Sequence, residues 1–405
     1  MSHRVRPRTR TGTGRRARSL LAVVPAVAAL LGGCTAAGSG SAADRAAAPP
    51  APSGTPLPGG LPTPGGTLLV ADFGADTVTF VDPRRGPVGS VTVGTAPYGL
   101  AVGPDGLAWV ATAEGVAVVD TRARAGVARI PYTTGTGPAG TGEYRGGGMG
   151  IALSPDGSRA YVGVNVPGRR GVLEVIDTAA RKVTATVPVG RRPFDVDVAR
   201  DGGEVYVTGH DSFDVTVVDA GTLAARRIEV APYGTEGGLG SWLKPHYAVV
   251  RPGDGRLLLP FEGERLAVVD PRSGAVAVEP MTADTHQHGT ALTSDGRLLV
   301  VGTGAVEEGR GPSLTVRSPG GEERVYPLDG PHEDVAVSRD GRTAYVTGGY
   351  TREGHWNGLT VVDLTDGTTR RLPAGTRPLG IAVLQAPSDQ GARSRGDGVP
   401  VSRRP

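Results

Sequence analysis

The chain has 405 residues, with 43 lysines and arginines against 40 aspartates and glutamates, 65 glycines and a single cysteine. Seven of the positive charges are arginines within residues 1–18, so the chain beyond that segment carries about −4, which argues against a nucleic-acid partner. One thiol excludes a disulfide scaffold, and the fold must be held by packing.

Residues 1–33 read as a secretory signal peptide. Arginines without acids are followed by the apolar run Leu20–Leu31, broken only by Pro25, which is too short to span a bilayer. Leu31-Gly32-Gly33-Cys34 resembles a bacterial lipobox, which implies that Cys34 is the lipidated first residue of the mature protein. The alternative is a conventional cut near Ala42-Ala43, leaving a soluble secreted protein. Arg15-Arg16 leaves export open between the general secretory and twin-arginine routes. Residues 34–66 are Ala, Gly, Pro and Ser with little to bury, a tether. The polar tail 385–405 is expected to be disordered. Its Arg395-Gly396-Asp397 matches the integrin-binding tripeptide, read here as chance.

Between residues 67 and 384 one unit recurs. Its clearest copy is Pro193–Asp219: an apolar strand, an Asp201-Gly202 turn, Glu204-Val-Tyr-Val-Thr-Gly209, and a third strand closed by Asp219. Asp-Gly between β-branched runs predicts a hairpin with a type I′ turn, in which both central residues have positive φ. First strands return at Pro97, Met149, Pro245, His288 and Pro331, and a seventh, Pro378–Leu384, stops before its turn. Third strands end in Asp82, Asp120, Asp177, Asp219, Asp270 and Asp363, each a carboxylate suited to accept the amides of the turn that follows. A period in the forties with four short strands per unit, and no competing helical periodicity, predicts an all-β, seven-bladed β-propeller with four-stranded antiparallel blades. The N-terminal part supplies second, third and fourth strands, and the C-terminal part a first strand. Joined, they make one blade shared by both ends of the chain, which removes the open edge.

Ala160-Tyr161-Val162, Val205–Gly209 and Ala344–Gly348 resemble the second strands of the YVTN family of β-propeller repeats, as do the Ser154–Gly157 turn and Val187-Pro188-Val189-Gly190. Gly209 and Gly348 stand where that family's asparagine would be. The resemblance implies the architecture. Its members span surface-layer-like proteins, binding proteins and relatives of lactonases, so it implies no one chemistry.

Tight Asp-Gly and Asp-Pro turns fall on one face of such a ring. The long connections, Tyr132–Gly148, Ala231–Lys244, Gly304–Pro312 and Tyr350–Asn357, fall on the other, the face expected to bind. The six histidines beyond the signal peptide, His210, His246, His286, His288, His332 and His355, are all assigned to that face. His246, His288 and His332 begin innermost strands of three successive blades, with Glu333 beside the last. Three imidazoles and a carboxylate suit a zinc- or copper-like divalent metal, a ligand site without metal, or a wet structural lining. Trp242, Tyr247, Tyr350 and Trp356 lie on or near the same face, fit to stack on a sugar or to pin loops. No serine-hydrolase elbow, phosphate loop or haem-attachment motif is present.

The favoured reading is a non-enzymatic propeller anchored through Cys34 to the outer leaflet of the cell membrane, binding a small ligand, cell-wall component or protein. The alternative is a propeller enzyme, lactonase- or lyase-like or a metal-dependent oxidoreductase, using His246, His288 and His332 with Glu333 as base.

Overall fold

The computed structural model of the chain describes residues 66–142, 144–230, 244–261, 265–282, 287–302, 311–349 and 354–384. The signal peptide, Cys34, nearly all of the tether, the tail with its Arg395-Gly396-Asp397, His286, Trp242, Tyr350 and much of the long loops lie outside the described residues.

Blade one begins with β1 (Leu68–Asp72), β2 (Thr77–Asp82) and β3 (Gly86–Thr92). Blade two holds β4 (Leu100–Val102), β5 (Leu107–Ala111), β6 (Gly115–Asp120) and β7 (Ala125–Pro131). Blade three is β8 (Gly147–Leu153), β9 (Arg159–Asn165), β10 (Val172–Asp177) and β11 (Lys182–Pro188). Blade four is β12 (Pro193–Val198), β13 (Glu204–Gly209), β14 (Asp214–Asp219) and β15 (Ala225–Glu229). Blade five follows with β16 (Val249–Val250), β17 (Leu257–Phe261), β18 (Arg265–Val269) and β19 (Val276–Pro280). Blade six is β20 (Gln287–Leu292), β21 (Leu298–Gly302), β22 (Ser313–Arg317) and β23 (Glu323–Pro327). Blade seven is β24 (Val335–Val337), β25 (Thr343–Thr347), β26 (Gly358–Asp363) and β27 (Thr369–Pro373). The last strand, β28 (Pro378–Val383), returns to blade one and pairs antiparallel with β1, Leu68 opposite Val383 and Val70 opposite Ile381. The protein is therefore a seven-bladed β-propeller, with each four-stranded blade antiparallel and the first blade built from both ends of the folded chain.

Among the described residues the buried apolar side chains form several clusters, not one core. Apolar clusters fill the gaps between neighbouring blades: Leu299, Val301, Leu314 and Val346 between blades six and seven, Val70, Tyr345, Leu359 and Ile381 between seven and one. Each second strand has neighbours on both faces, so its side chains are apolar on both. In β13, Val205 and Val207 pack toward blade three while Tyr206 packs toward blade five. This double burial explains the near-continuous Val-rich runs. Fourth strands are different: β7, β11, β15 and β27 are mostly exposed and are held by single buried anchors, Ile130, Val187, Ile228 and Leu372.

The Asp-Gly turns differ from the type I′ expectation. Only the glycine has positive φ, 72° at Gly157 and 75° at Gly202, and neither Asp156 nor Asp201 does. The aspartate stays in the ordinary region because its carboxylate accepts the amide two residues on, Ser158 N–H at 3.0 Å from Asp156 and Gly203 N–H at 2.9 Å from Asp201. An Asx turn followed by a left-handed glycine makes the reversal. The aspartates closing third strands act as expected: the Asp82, Asp120 and Asp219 carboxylates each accept two following backbone amides.

Innermost strands meet around the axis through glycine. Gly99 N–H donates to the Met149 carbonyl at 3.2 Å, Gly380 N–H to Tyr98 at 3.2 Å, and Gly289 N–H to Glu333 at 2.7 Å, each bond joining two blades. A Cβ at Gly150 would lie 2.5 Å from the Asp195 Cα of the next blade, a clash with backbone that no side-chain movement relieves. Gly150→Ala is therefore expected to cost about 2–4 kcal/mol in urea unfolding. Gly142→Ala, where nothing lies within 4 Å, should stay within about 0.5 kcal/mol of the parent.

Candidate functional site

Each blade offers one residue to a collar at the head of its innermost strand. In chain order these are Tyr98, Met149, Phe194, Tyr247, His288, Glu333 and Leu379. In blades one, three, four and six the register of the innermost strand slips at this point: between Pro193 and Asp195 in β12, and between Gln287 and Thr290 in β20. Such a bulge re-aims a side chain, here over the mouth of the central channel. On one side the collar is apolar, with Phe73, Tyr98, Met149, Phe194 and Leu379 in one buried cluster. Tyr98 and Tyr247 meet Phe194 edge-on, at centroid distances of 5.6 and 5.2 Å.

The other side is polar. His210, in the loop after β13, stacks on Phe194 at 5.1 Å, and His246 meets the same ring edge-on at 5.0 Å. His210 Nδ1 lies 2.7 Å from Asp211 Oδ1, and its Nε2 lies 3.1 Å from His246 Nε2. The His246 and His288 rings are 4.9 Å apart, and His288 Nδ1 is 3.3 Å from Glu333 Oε1. Lys244 Nζ donates to Asp211 at 3.1 Å. These residues come from blades four to seven, and His210, His246, His288 and Glu333 are all at least nine-tenths buried.

The charges can be assigned. Burial, assisted by Arg192, pushes His210 down to about 3, so its ring is neutral at ordinary pH. Its one proton sits on Nδ1, donated to Asp211 across the shorter contact, which leaves Nε2 to accept and requires His246 to donate from Nε2. Burial works against the charge of Asp211, but His210, Arg192 and Lys244 together hold it well below the usual carboxylate range. The array is a directional chain from carboxylate to imidazole to imidazole.

His332 is placed apart. It stands one residue before the collar position, as His246 does, whereas His288 is in it. Its Nδ1–H donates to the Gly330 carbonyl at 2.7 Å, its Nε2 accepts from the Thr360 hydroxyl at 2.7 Å, and Trp356 covers it edge-on. With both ring nitrogens engaged and no exposure, it is a structural residue, and burial pushes it down to about 4. The structure thus brings His246, His288 and Glu333 together and directs His332 elsewhere. His355 accepts from Arg377 Nε at 3.2 Å on the surface. Among the described residues no three His, Cys, Asp or Glu side chains converge to hold a metal ion. Of the three alternatives open for these histidines, the zinc- or copper-like centre has no matching donor set among the described residues.

Below the collar runs a channel cavity of about 220 Å³ reached by all seven blades. Three carboxyls line it: Asp195, Asp197 and Asp334. Asp195 and Asp334 stand where four other blades carry the close-contact glycine and blade five carries Ala248, and each accepts a backbone amide of the following blade, Ala248 N–H at 2.8 Å and Ile381 N–H at 3.3 Å. Burial raises Asp195 to about 6 and Asp334 to about 8, the latter helped by the charges of Asp195 and Glu333. Burial, with Asp195 alongside, also raises Asp197 well above its ordinary value. Sequence reading placed His210 on this face but did not single out Asp195, Asp197, Phe194 or Tyr98. The available signal was a comparison of repeats, because Asp195 and Asp334 replace glycine and Asp197 replaces alanine at matching positions.

No protein-family model matches the chain, and no curated protein matches it. Among solved structures it is similar to a periplasmic gluconolactonase of Pseudomonas aeruginosa, at 16% identity, with 78% of this chain and 99% of that one covered and a TM-score of 0.54. It is also similar to the dihydro-heme d1 dehydrogenase NirN, at 17% identity over 81% of this chain and 77% of that one, TM-score 0.50. At these identities the likeness is one of fold.

Asp334 yields a pH prediction. Above the usual carboxyl range the unfolded chain has lost this proton, while the folded chain keeps it up to about pH 8, so its contribution to stability falls as pH rises from about 4 to about 8. Asp334→Asn is expected to raise the calorimetric melting temperature at pH 8 by about 2–4 °C and to flatten its decline from pH 6.5. An unchanged slope would remove Asp334 from that role.

Proposed function

We propose that this propeller is an extracytoplasmic binding protein, tethered to the membrane through a lipid on Cys34, whose channel mouth takes a small polar ligand. One observation carries the reading: the buried array of Asp211, His210, His246, His288 and Glu333 is not required by the fold. Met149 and Leu379 occupy the same collar position in other blades and satisfy it with apolar packing. Burying several polar and charged groups where a methionine or leucine serves costs stability. Recognition of a partner bearing hydrogen-bond donors and acceptors is the return on that cost. The flanking rings of Phe194, Tyr98 and Tyr247 suit the apolar face of such a ligand. The signal-like residues 1–33 and the Pro-rich stretch after Cys34 support display outside the membrane.

A second reading has a specific observation behind it, the His288–Glu333 pair at 3.3 Å. An imidazole beside a carboxylate is a general base with its orienting partner, and a lactonase-like hydrolase could use it without metal. The gluconolactonase above shares the scaffold.

Both readings are tested with the mature chain carrying Cys34→Ser. Thermal-shift and NMR titrations with aldonolactones, free sugars and peptidoglycan fragments should find a ligand whose affinity falls about tenfold, or about 1.4 kcal/mol, in His288→Ala and Glu333→Gln. His332→Ala should lower the melting temperature yet leave that ligand bound. Affinity untouched by the His288 and Glu333 substitutions would refute the mouth as the site. Turnover of a lactone, abolished in Glu333→Gln, would decide for the hydrolase. In cell fractionation, Cys34→Ala is expected to move the protein from the membrane to the soluble fraction; continued membrane retention would sink the anchor.

A further inference from the structure

The channel below the collar is chemically distinct from the mouth. None of His246, His288 and Glu333 lines it, and among the described residues no lysine, arginine or histidine does. The polar side chains among its lining residues are Asp195, Asp197 and Asp334, Thr290, and the phenols Tyr98 and Tyr247. The Thr290 hydroxyl is buried without a hydrogen-bond partner among the described residues. Two guanidinium groups lie behind rings that line the channel, Arg145 over Tyr98 and Arg192 over Phe194, and Arg145 is held there by the carbonyls of Ala96, Gly146 and Gly148. At the head of the cavity stand three rings, Tyr98, Phe194 and Tyr247.

Acceptors without cationic side chains, closed at one end by aromatic rings, define the ligand by charge. Ammonium groups are held by carboxylates and by π faces, carboxylates repel anions, and a neutral ligand gains hydrogen bonds there without the charge attraction. The spacing adds a second constraint. Asp195 and Asp197 lie two residues apart on β12, so their side chains leave the same face of the strand about 6–7 Å apart along the channel. Asp334 joins Asp195 at the upper level, since both occupy the position after the collar residue.

We propose that the channel binds a linear aliphatic diamine or polyamine, with one ammonium between Asp195 and Asp334 beneath the rings of Tyr98, Phe194 and Tyr247 and the next at Asp197. A four-carbon chain matches the separation of the two acidic levels, and the methylenes run along Ile151, Val249 and Val335 of the wall. A metal ion fits less well, because Asp195 and Asp334 already spend oxygens on backbone amides and no three ligands converge among the described residues. Burial pushes all three acids toward their protonated forms, the charge of Asp195 adds to this at Asp197 and Asp334, and a bound cation opposes both effects. The two sites share the rings of Tyr98, Phe194 and Tyr247, but none of the mouth's His246, His288 and Glu333 lines the channel, so the two readings can fail separately.

The test is calorimetric titration of the mature protein at pH 8 with 1,4-diaminobutane, butylamine and 1,4-butanediol. The diamine should bind at least tenfold more tightly than butylamine, and the diol should give no heat. Asp197→Asn should weaken the diamine at least tenfold and erase its advantage over butylamine, while the melting temperature is kept or raised because a buried carboxyl has gone. That opposite movement separates lost binding from lost folding. No diamine binding by the folded parent, equal binding of the diol, or a diamine affinity unchanged in Asp197→Asn would each overturn the proposal and leave the mouth reading standing.

Discussion

Everything in this molecule depends on the pairing of β28 with β1. Leu68 opposite Val383 and Val70 opposite Ile381 turn a row of blades into a ring, and a ring has an axis. Only with an axis do the heads of the innermost strands become a collar, one residue per blade, and only then does the space between them become a channel. The pairing also covers the strand edge that an unclosed array would offer to solvent. Local ties finish the job: Gly99, Gly289 and Gly380 pass backbone amides to the neighbouring blade at a distance no Cβ would allow.

The fold repeats and the collar does not. Blades one and three contribute Leu379 and Met149, and blades six and seven contribute His288 and Glu333 from the same place in the same strand. A repeated scaffold makes that asymmetry informative, since the packing needs of the position are known from its apolar copies. The polar sector then divides by depth. Above the channel a hydrogen-bonded chain runs from Asp211 through His210 to His246, and His288 continues the row to within 3.3 Å of Glu333. Inside it, three acids face one another with little to neutralise them.

Architecture was legible because it is written many times over. Six first strands with turns, a seventh without, and a start that lacks its first strand fix both the blade count and the shared blade. Individual positions were harder. The turn at Asp156-Gly157 was read as type I′ from its dipeptide, yet the aspartate's own hydrogen bond to Ser158 selects a different backbone. His246, His288 and His332 looked alike as residues heading three strands. A one-residue bulge in β20 puts His288 over the channel, while Gly330 and Thr360 draw His332 away from it. The one-residue offset of His288 is visible in the spacing, but the hydrogen bonds that hold His332 leave no trace there. Asp195, Asp197 and Asp334 did leave one, as exceptions to the glycine and alanine of the other repeats.

The join between β1 and β28 also sets a condition on how the molecule comes into being. Its two partners stand at opposite limits of the folded region, so the first strand to be synthesised waits for the last, and the entropy of bringing them together is met only when every intervening blade is in place. A chain broken off early has no substitute for the missing piece. It keeps a raw, adhesive border that the finished molecule never displays, and that border distinguishes incomplete copies from whole ones for any protease or chaperone that meets them.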